Sequence, residues 1–403
     1  MKGGIKNAKN NNHWPVKMVN QTRLLRLQYF LYFGTMGAVL PFFNLYCYHI
    51  GLSGFEIGVL SAAKSLTIVI FPIFWSLLAD HFRIRRPLYI FCNLISLAAW
   101  CGYFFTTAFM PMLAITFFYG IFYAPIIAML ETFTMENLSG KIATYGHIRV
   151  WGSVSFILVV VVLGKLIDHT GVAIILGVVA AGSFLFAAAS LKTPTIPPQP
   201  QMPLDWAQLK ALLKGPLGRF LSCAFLMLLS HSAYYGFFSI HLEELGFSGA
   251  FIGSTWAIAS IAEISVMAGS AKLIKHFGTH SLIAFALAVA VIRWLVFYFT
   301  TTIAWIIFGQ ILHAVTYGVF HVAGIVYVDQ LSPQGRKTMG QAVNNAVTYG
   351  LGLTVGFYLN GWLFSLFGSR FLFGVAAVTA ATAGGWFWLF AGQAGLSEKT
   401  GTS

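Results

Sequence analysis

The chain has 403 residues, 58% of them hydrophobic and only 9% charged, with a formal net charge of +13. Soluble proteins carry about 25% charged residues, so the composition excludes a soluble domain and indicates a chain that crosses a bilayer many times. The positive charge is then a matter of loop topology rather than of nucleic-acid binding.

Residues 1–22 form a polar, Asn-rich, basic tail, expected to be a cytoplasmic, uncleaved start without a signal peptide. Runs of about 20 apolar residues can each span a bilayer as a helix. Twelve are predicted: 24–48, 57–79, 87–107, 111–135, 147–167, 171–191, 218–242, 251–271, 281–300, 303–328, 339–365 and 370–391. The stretch 192–217 contains TPTIPPQPQMP and then LDWAQLKALLKG, a proline-rich linker and a short amphipathic helix. It separates a bundle of six spans at 23–191 from a second at 218–392, with 393–403 as a C-terminal tail. Cys47, Cys92, Cys101 and Cys223 fall in apolar segments without metal-ligand spacing, so neither a disulfide framework, a metal nor a cofactor is expected.

With the N-terminus inside, the inner segments hold 20 of the 24 Lys and Arg residues, counting Arg149 at its helix end. Lys165 and Arg370 fall in outer loops, and Lys64 and Arg293 lie within spans. That asymmetry predicts cytoplasmic termini. The two sets also echo each other: LLADHF (77–82) after span two by LIKHF (273–277) after span eight, and Glu136-Asn137 by Asp329-Gln330. A duplicated six-helix unit follows.

Ionisable groups inside apolar spans are costly and therefore informative. Glu131 lies nine residues before Gly140 and Arg149 nine after it, so a hairpin with its tip at Ser139-Gly140-Lys141 sets them level. They either snorkel to headgroups or form a polar centre facing a water-filled cavity; the second is preferred, because buried ion pairs are rarely kept for stability alone. Glu263 and Arg293 are likewise fifteen residues either side of Gly278, each about 18 Å into its helix, and are expected to pair and to couple protons. Span ten carries Gln310, His313, Tyr317 and His321 on one face, and span seven carries His231, Tyr234, Tyr235 and Phe238 at similar steps. These read as cavity lining, with a plain helix–helix hydrogen bond as the alternative for His321. Asn344, Asn345, Thr348 and Tyr349 read as interhelical contacts. Lys64 either snorkels outward or attracts an anion.

The whole chain resembles the major facilitator superfamily. SLLADHFRIRR (76–86) is similar to its loop motif, with Ser76 where glycine is usual and Arg83-Ile84 displacing another. On composition this is a positive-inside anchor or a conformational latch; the resemblance favours a latch of Asp80 with Arg85 and Arg86. YGHIRVWGSVSF (145–156), GAVLPFFNLY, SHSAYYGF (230–237) and QILHAVTYGVFH (310–321) resemble the proton-symporting phenylpropionate permease branch. The lactose permease family is a more distant likeness. By that likeness Glu131 and Arg149 match its sugar-binding acid and arginine, and Phe156 its stacking ring. Glu263, Arg293 and His313 match charged positions of its second half. Thr316 stands where that family has its proton-releasing carboxylate, so the proton route is not carried over.

The fold expected is an all-α membrane protein with twelve transmembrane helices in two six-helix bundles. The resemblance implies a monomeric secondary active transporter in a bacterial inner membrane, importing a small organic solute with protons. An aromatic carboxylate is the first choice, with Glu131, Arg149, Phe156, His231, Tyr235, His313 and Tyr317 binding it and Arg149, Lys64 and Arg293 available to an anion. A sugar or nucleoside is the alternative. HExxH, GxSxG and GxxxxGK[ST] motifs are absent, so neither a membrane-embedded enzyme nor a P-loop ATPase is expected. A drug antiporter is disfavoured by the lack of a GP-rich fifth span.

Overall fold

The computed structural model describes residues 16–138, 142–194 and 213–399. The hairpin tip at 139–141 and most of the linker, including its expected amphipathic helix, lie outside these residues.

The first half contains α1 (Val16–His49), α2 (Gly54–His81), α3 (Arg85–Cys101), α4 (Phe109–Leu138), α5 (Ile142–Thr170) and α6 (Ile174–Ser190). The second begins with α7 (Pro216–Glu244). Gly249–Phe299 is one rod broken at Gly278, whose φ of 75° is open to glycine at little cost, giving α8 (249–277) and α9 (279–299). After α10 (Ile303–Leu331) a second rod breaks at Gly368, φ 76°, into α11 (337–367) and α12 (369–399). Among the described residues nine helices are long and apolar enough to cross a membrane and Ile174–Ser190 is a shorter one; the two glycine breaks bring the count to twelve. The chain is thus a multi-pass helical membrane protein.

Local chemistry marks the ends. Ser53 caps α2 through a capping box: its hydroxyl accepts from Glu56 N while the Glu56 carboxylate accepts from Ser53 N. In the α2–α3 loop Arg83 takes φ 56°, a left-handed conformation costing a non-glycine residue about 1–2 kcal/mol. This is the stretch where the loop motif ordinarily places glycine. Phe105, Met110, Val378 and Trp388 are among the most exposed side chains. An apolar exterior of this kind suits lipid, and Trp75, Trp100 and Trp294 instead pack inside, each donating its indole N–H to an oxygen.

The halves meet at the end away from the termini. There α2 lies on α11 and α5 on α8 with backbone in contact: a Cβ on Gly58 would fall 2.6 Å from Gly361 Cα, and one on Gly164 2.4 Å from Gly249 O. Small residues permit this approach, and in lipid close packing rather than hydrophobicity holds helices together. One buried core joins both halves at this end through Phe42, Trp100, Tyr234 and Trp294, and continues down the second half to Leu217 and Phe387. A separate core around Tyr29, Tyr89 and Phe133 belongs to the first half alone, toward the termini. Hydrogen bonds across the closed end include Asn44 Nδ2 to Gly236 O (2.9 Å), Phe55 N to Ser365 Oγ (2.8 Å) and Asp168 to the start of α8. His49 Nε2 and Glu243 Oε1 add a polar contact at 2.5 Å.

Candidate transport site

Between the halves lies a cavity of about 420 Å³. Counting 1.5 Å per residue from the closed end sets its levels. Asn44, about 8 Å down α1, forms the floor, held by Ser61 Oγ (2.9 Å) and Gly236 O. Lys64, Tyr235 and His313 come at about 15 Å, Glu263 and Phe156 at about 21 Å, and Arg149 at about 31 Å, toward the end bearing the termini. Tyr32, Tyr119 and Tyr123 stack along the first-half wall, with centroids 5.4 Å and 4.9 Å apart for the two successive pairs. Trp100 and Trp256 also line it.

The Glu263–Arg293 ion pair expected from their equal distance to Gly278 does not form. Arg293 is fully buried behind the wall, donating to Gly309 O (2.8 Å), Thr316 Oγ1 (3.2 Å) and Gln310 Oε1 (3.3 Å), with its guanidinium 4.3 Å from the Tyr234 ring centroid. Thr316 thus presents its hydroxyl to the arginine. Glu263 faces the cavity instead. Its Oε2 lies 3.6 Å from His313 Nε2, and it packs on α10 at Gly318, which has no side chain to exclude it.

Glu131 and Arg149 likewise form no contact ion pair. Arg149 sits over Phe33 at 3.8 Å and Tyr29 at 5.7 Å, while Glu131, off the cavity wall, accepts from Tyr145 OH at 3.5 Å. Phe156, Tyr235, His313 and Tyr317 line the cavity. His231 does not; it is buried behind them, bonded to Met227 O (2.9 Å) and 3.4 Å from Thr316 Oγ1.

At the other end Arg85 bridges Asp80 (2.5 Å) and Glu136 (2.8 Å), tying α2, α3 and α4 together. Arg86 stands apart from them and donates to the carbonyls of Leu191 and Thr193 beyond α6. Sequence reasoning missed Glu136 as the third member of this cluster. It also missed two π-helical turns, Ala314–Val319 and Asn345–Gly352. These wider turns recur at functional sites; here they carry Tyr317 and Tyr349 on the cavity wall. His321 bonds Tyr349 OH through Nδ1.

Two helical halves closing on a central cavity with charges on both walls define a secondary transporter of the major facilitator type. The MFS_1-like family matches residues 22–375, and the chain belongs to it. A probable 3-phenylpropionic acid transporter of Escherichia coli (strain K12) is 29% identical over 379 residues, 91% of this chain and 97% of its own length. The maltose permease of Geobacillus stearothermophilus is 26% identical over 349 residues, 83% of this chain and 87% of its own. The crystal structure of the nucleoside transporter NupG superposes with a TM-score of 0.82 at 19% identity, over 92% of this chain and 98% of that one. All are transporters, and the protein is not an enzyme.

Proposed function

We propose that the protein imports a small organic anion, an aromatic carboxylate, together with protons across a bacterial inner membrane. The observation that carries this reading is the cavity itself. Two first-half cations, Lys64 and Arg149, face the Glu263–His313 pair of the second half across an aromatic-walled space. The anion neutralises cationic charge, the rings take its apolar body, and Glu263 exchanges the proton. The relative described as a probable 3-phenylpropionic acid transporter supports the same substrate class.

With both termini cytoplasmic, as the Lys and Arg distribution supports, the closed end is external and the described conformation faces inward. Residues 23–191 and 218–392 then rock as two bundles about the site. Asp80, Arg85 and Arg86 act as the latch of the first bundle, brace its inner end in this state, and regroup when that end closes.

Proteoliposome uptake tests the reading. Accumulation of 3-phenylpropionate should need an inward proton gradient and collapse with a protonophore. Competition by maltose or a nucleoside in place of 3-phenylpropionate would transfer the site to the alternative class, which the tyrosine hydroxyls and Asn44 would suit.

A further inference from the structure

Within that anion-transport reading, on which this step rests, the two cavity cations are not equivalent. Lys64 lies about 15 Å from the closed end and Arg149 about 31 Å, a separation of about 16 Å along the helices. A short aromatic acid cannot engage both.

Their surroundings differ as well. Arg149 rests on the Tyr29 and Phe33 rings, its guanidinium 5.7 Å and 3.8 Å from their centroids. Among the described residues the Lys64 ammonium has no hydrogen bond and no ion pair. Its neighbours on α2 are already engaged: Ser61 with Asn44, Ser65 with Gly350 O at 3.3 Å, and Thr67 with the Lys64 carbonyl at 2.7 Å. An ammonium held in an apolar wall without a counter-charge is costly. Snorkelling does not relieve it, because the residue is well below the helix start and lines the cavity rather than the lipid face.

We infer that Lys64 anchors the carboxylate of the transported solute, which therefore lies acid-first toward the closed end with its ring among Tyr119, Tyr235 and Phe156. Arg149 remains on its two rings near the mouth and does not read the solute's charge. Lys64 is thus the residue that separates acids from neutral molecules of the same shape, a compact cation suited to one carboxylate oxygen.

The test is the ratio of affinities for 3-phenylpropionate and its neutral amide, 3-phenylpropionamide, measured by calorimetry on the full chain in nanodiscs. Wild type should prefer the acid. Lys64→Gln should cut that preference at least tenfold, and Lys64→Arg should keep most of it. Arg149→Gln should weaken acid and amide together and leave the ratio within about twofold. A Lys64→Gln ratio equal to wild type, or a ratio lost in Arg149→Gln alone, overturns the assignment. Wild type that binds neither compound but binds maltose or a nucleoside overturns the substrate class itself. The amide measurement also reports whether each variant is folded.

Discussion

The Asp168 carboxylate, at the end of α5, accepts hydrogen bonds from the backbone N–H of Gly249 (2.6 Å) and of Ala250 (3.0 Å). One half of the transporter thereby caps the first turn of a helix in the other. Ser248 takes the next amide, Phe251 N, from within its own half. An acid at a helix N-terminus satisfies orphan donors and meets the positive end of the helix dipole, and this cap exists only while the halves are closed here.

Asp168→Asn should favour opening at that end. A cap of this kind is worth about 1–2 kcal/mol, a shift of about 5- to 30-fold in the closed-to-open ratio. Distances between spin labels at positions 169 and 301, in a background without the native cysteines, should gain a longer population. An unchanged distance distribution would remove Asp168 from the gate.

Gly58→Val should act in the same direction by a different cause. Its side chain would start 2.6 Å from Gly361 Cα and from Phe357 O, backbone that cannot yield without parting α2 from α11. Overpacking costs about 1–3 kcal/mol. Gly177→Ala, where a Cβ meets nothing within 4 Å, is the control and should leave the same distances as they are.

Arg293→Met should destabilise the fold by about 3 kcal/mol, because it leaves Gly309 O, Thr316 and Gln310 without their charged donor. Arg293→Lys should recover part of this, since a lysine cannot place three donors in one plane. Thermal unfolding in detergent reads both. If Arg293→Met melts with wild type, the buried cation does not support the second bundle.

Glu263→Gln mimics a permanently protonated carboxyl. It should abolish accumulation against a gradient yet still allow exchange of labelled substrate across preloaded vesicles, a step that needs no net proton release. Uphill accumulation at the wild-type level would move the coupling role to His313, its neighbour at 3.6 Å.

Glu131→Gln and Arg149→Lys should each lower substrate affinity by more than about fivefold, close to 1 kcal/mol, with insertion and folding intact. Affinities within about twofold of wild type in both would detach this charge network from binding.

Equal spacing from a glycine was legible in the chain, but neither final height nor azimuth was. Glu263 and Arg293 are each fifteen residues from Gly278, yet counted from the closed end Glu263 lies about 21 Å along α8 and Arg293 about 9 Å along α9. Pairing also requires that both side chains turn to the same seam. Arg293 turns to α10 and Glu263 to the cavity, a choice made by neighbours such as Gly318 and Gln310 that no single-helix pattern reveals. Span limits show a similar division. Hydropathy marks where a chain leaves the lipid, so 271 and 281 were expected to bound spans eight and nine, yet the polar stretch between them stays helical up to the turn at Gly278. Asp168 was invisible for a third reason: its partner is the backbone of a helix start 81 residues away, and amide groups carry no sequence signature.

The sealed floor at Asn44 and Gly236 makes the cavity a blind corridor with traffic through a single mouth. Lys64 lies beyond Glu263 as seen from that mouth, about 15 Å against about 21 Å from the closed end, so anything seated on the lysine must pass the acid on its way out. If Glu263 carries the coupled proton and Lys64 the solute, as proposed above, the order of departure is proton first, solute second. Efflux kinetics should bear that order, with internal acidification slowing solute release and internal solute leaving proton release untouched.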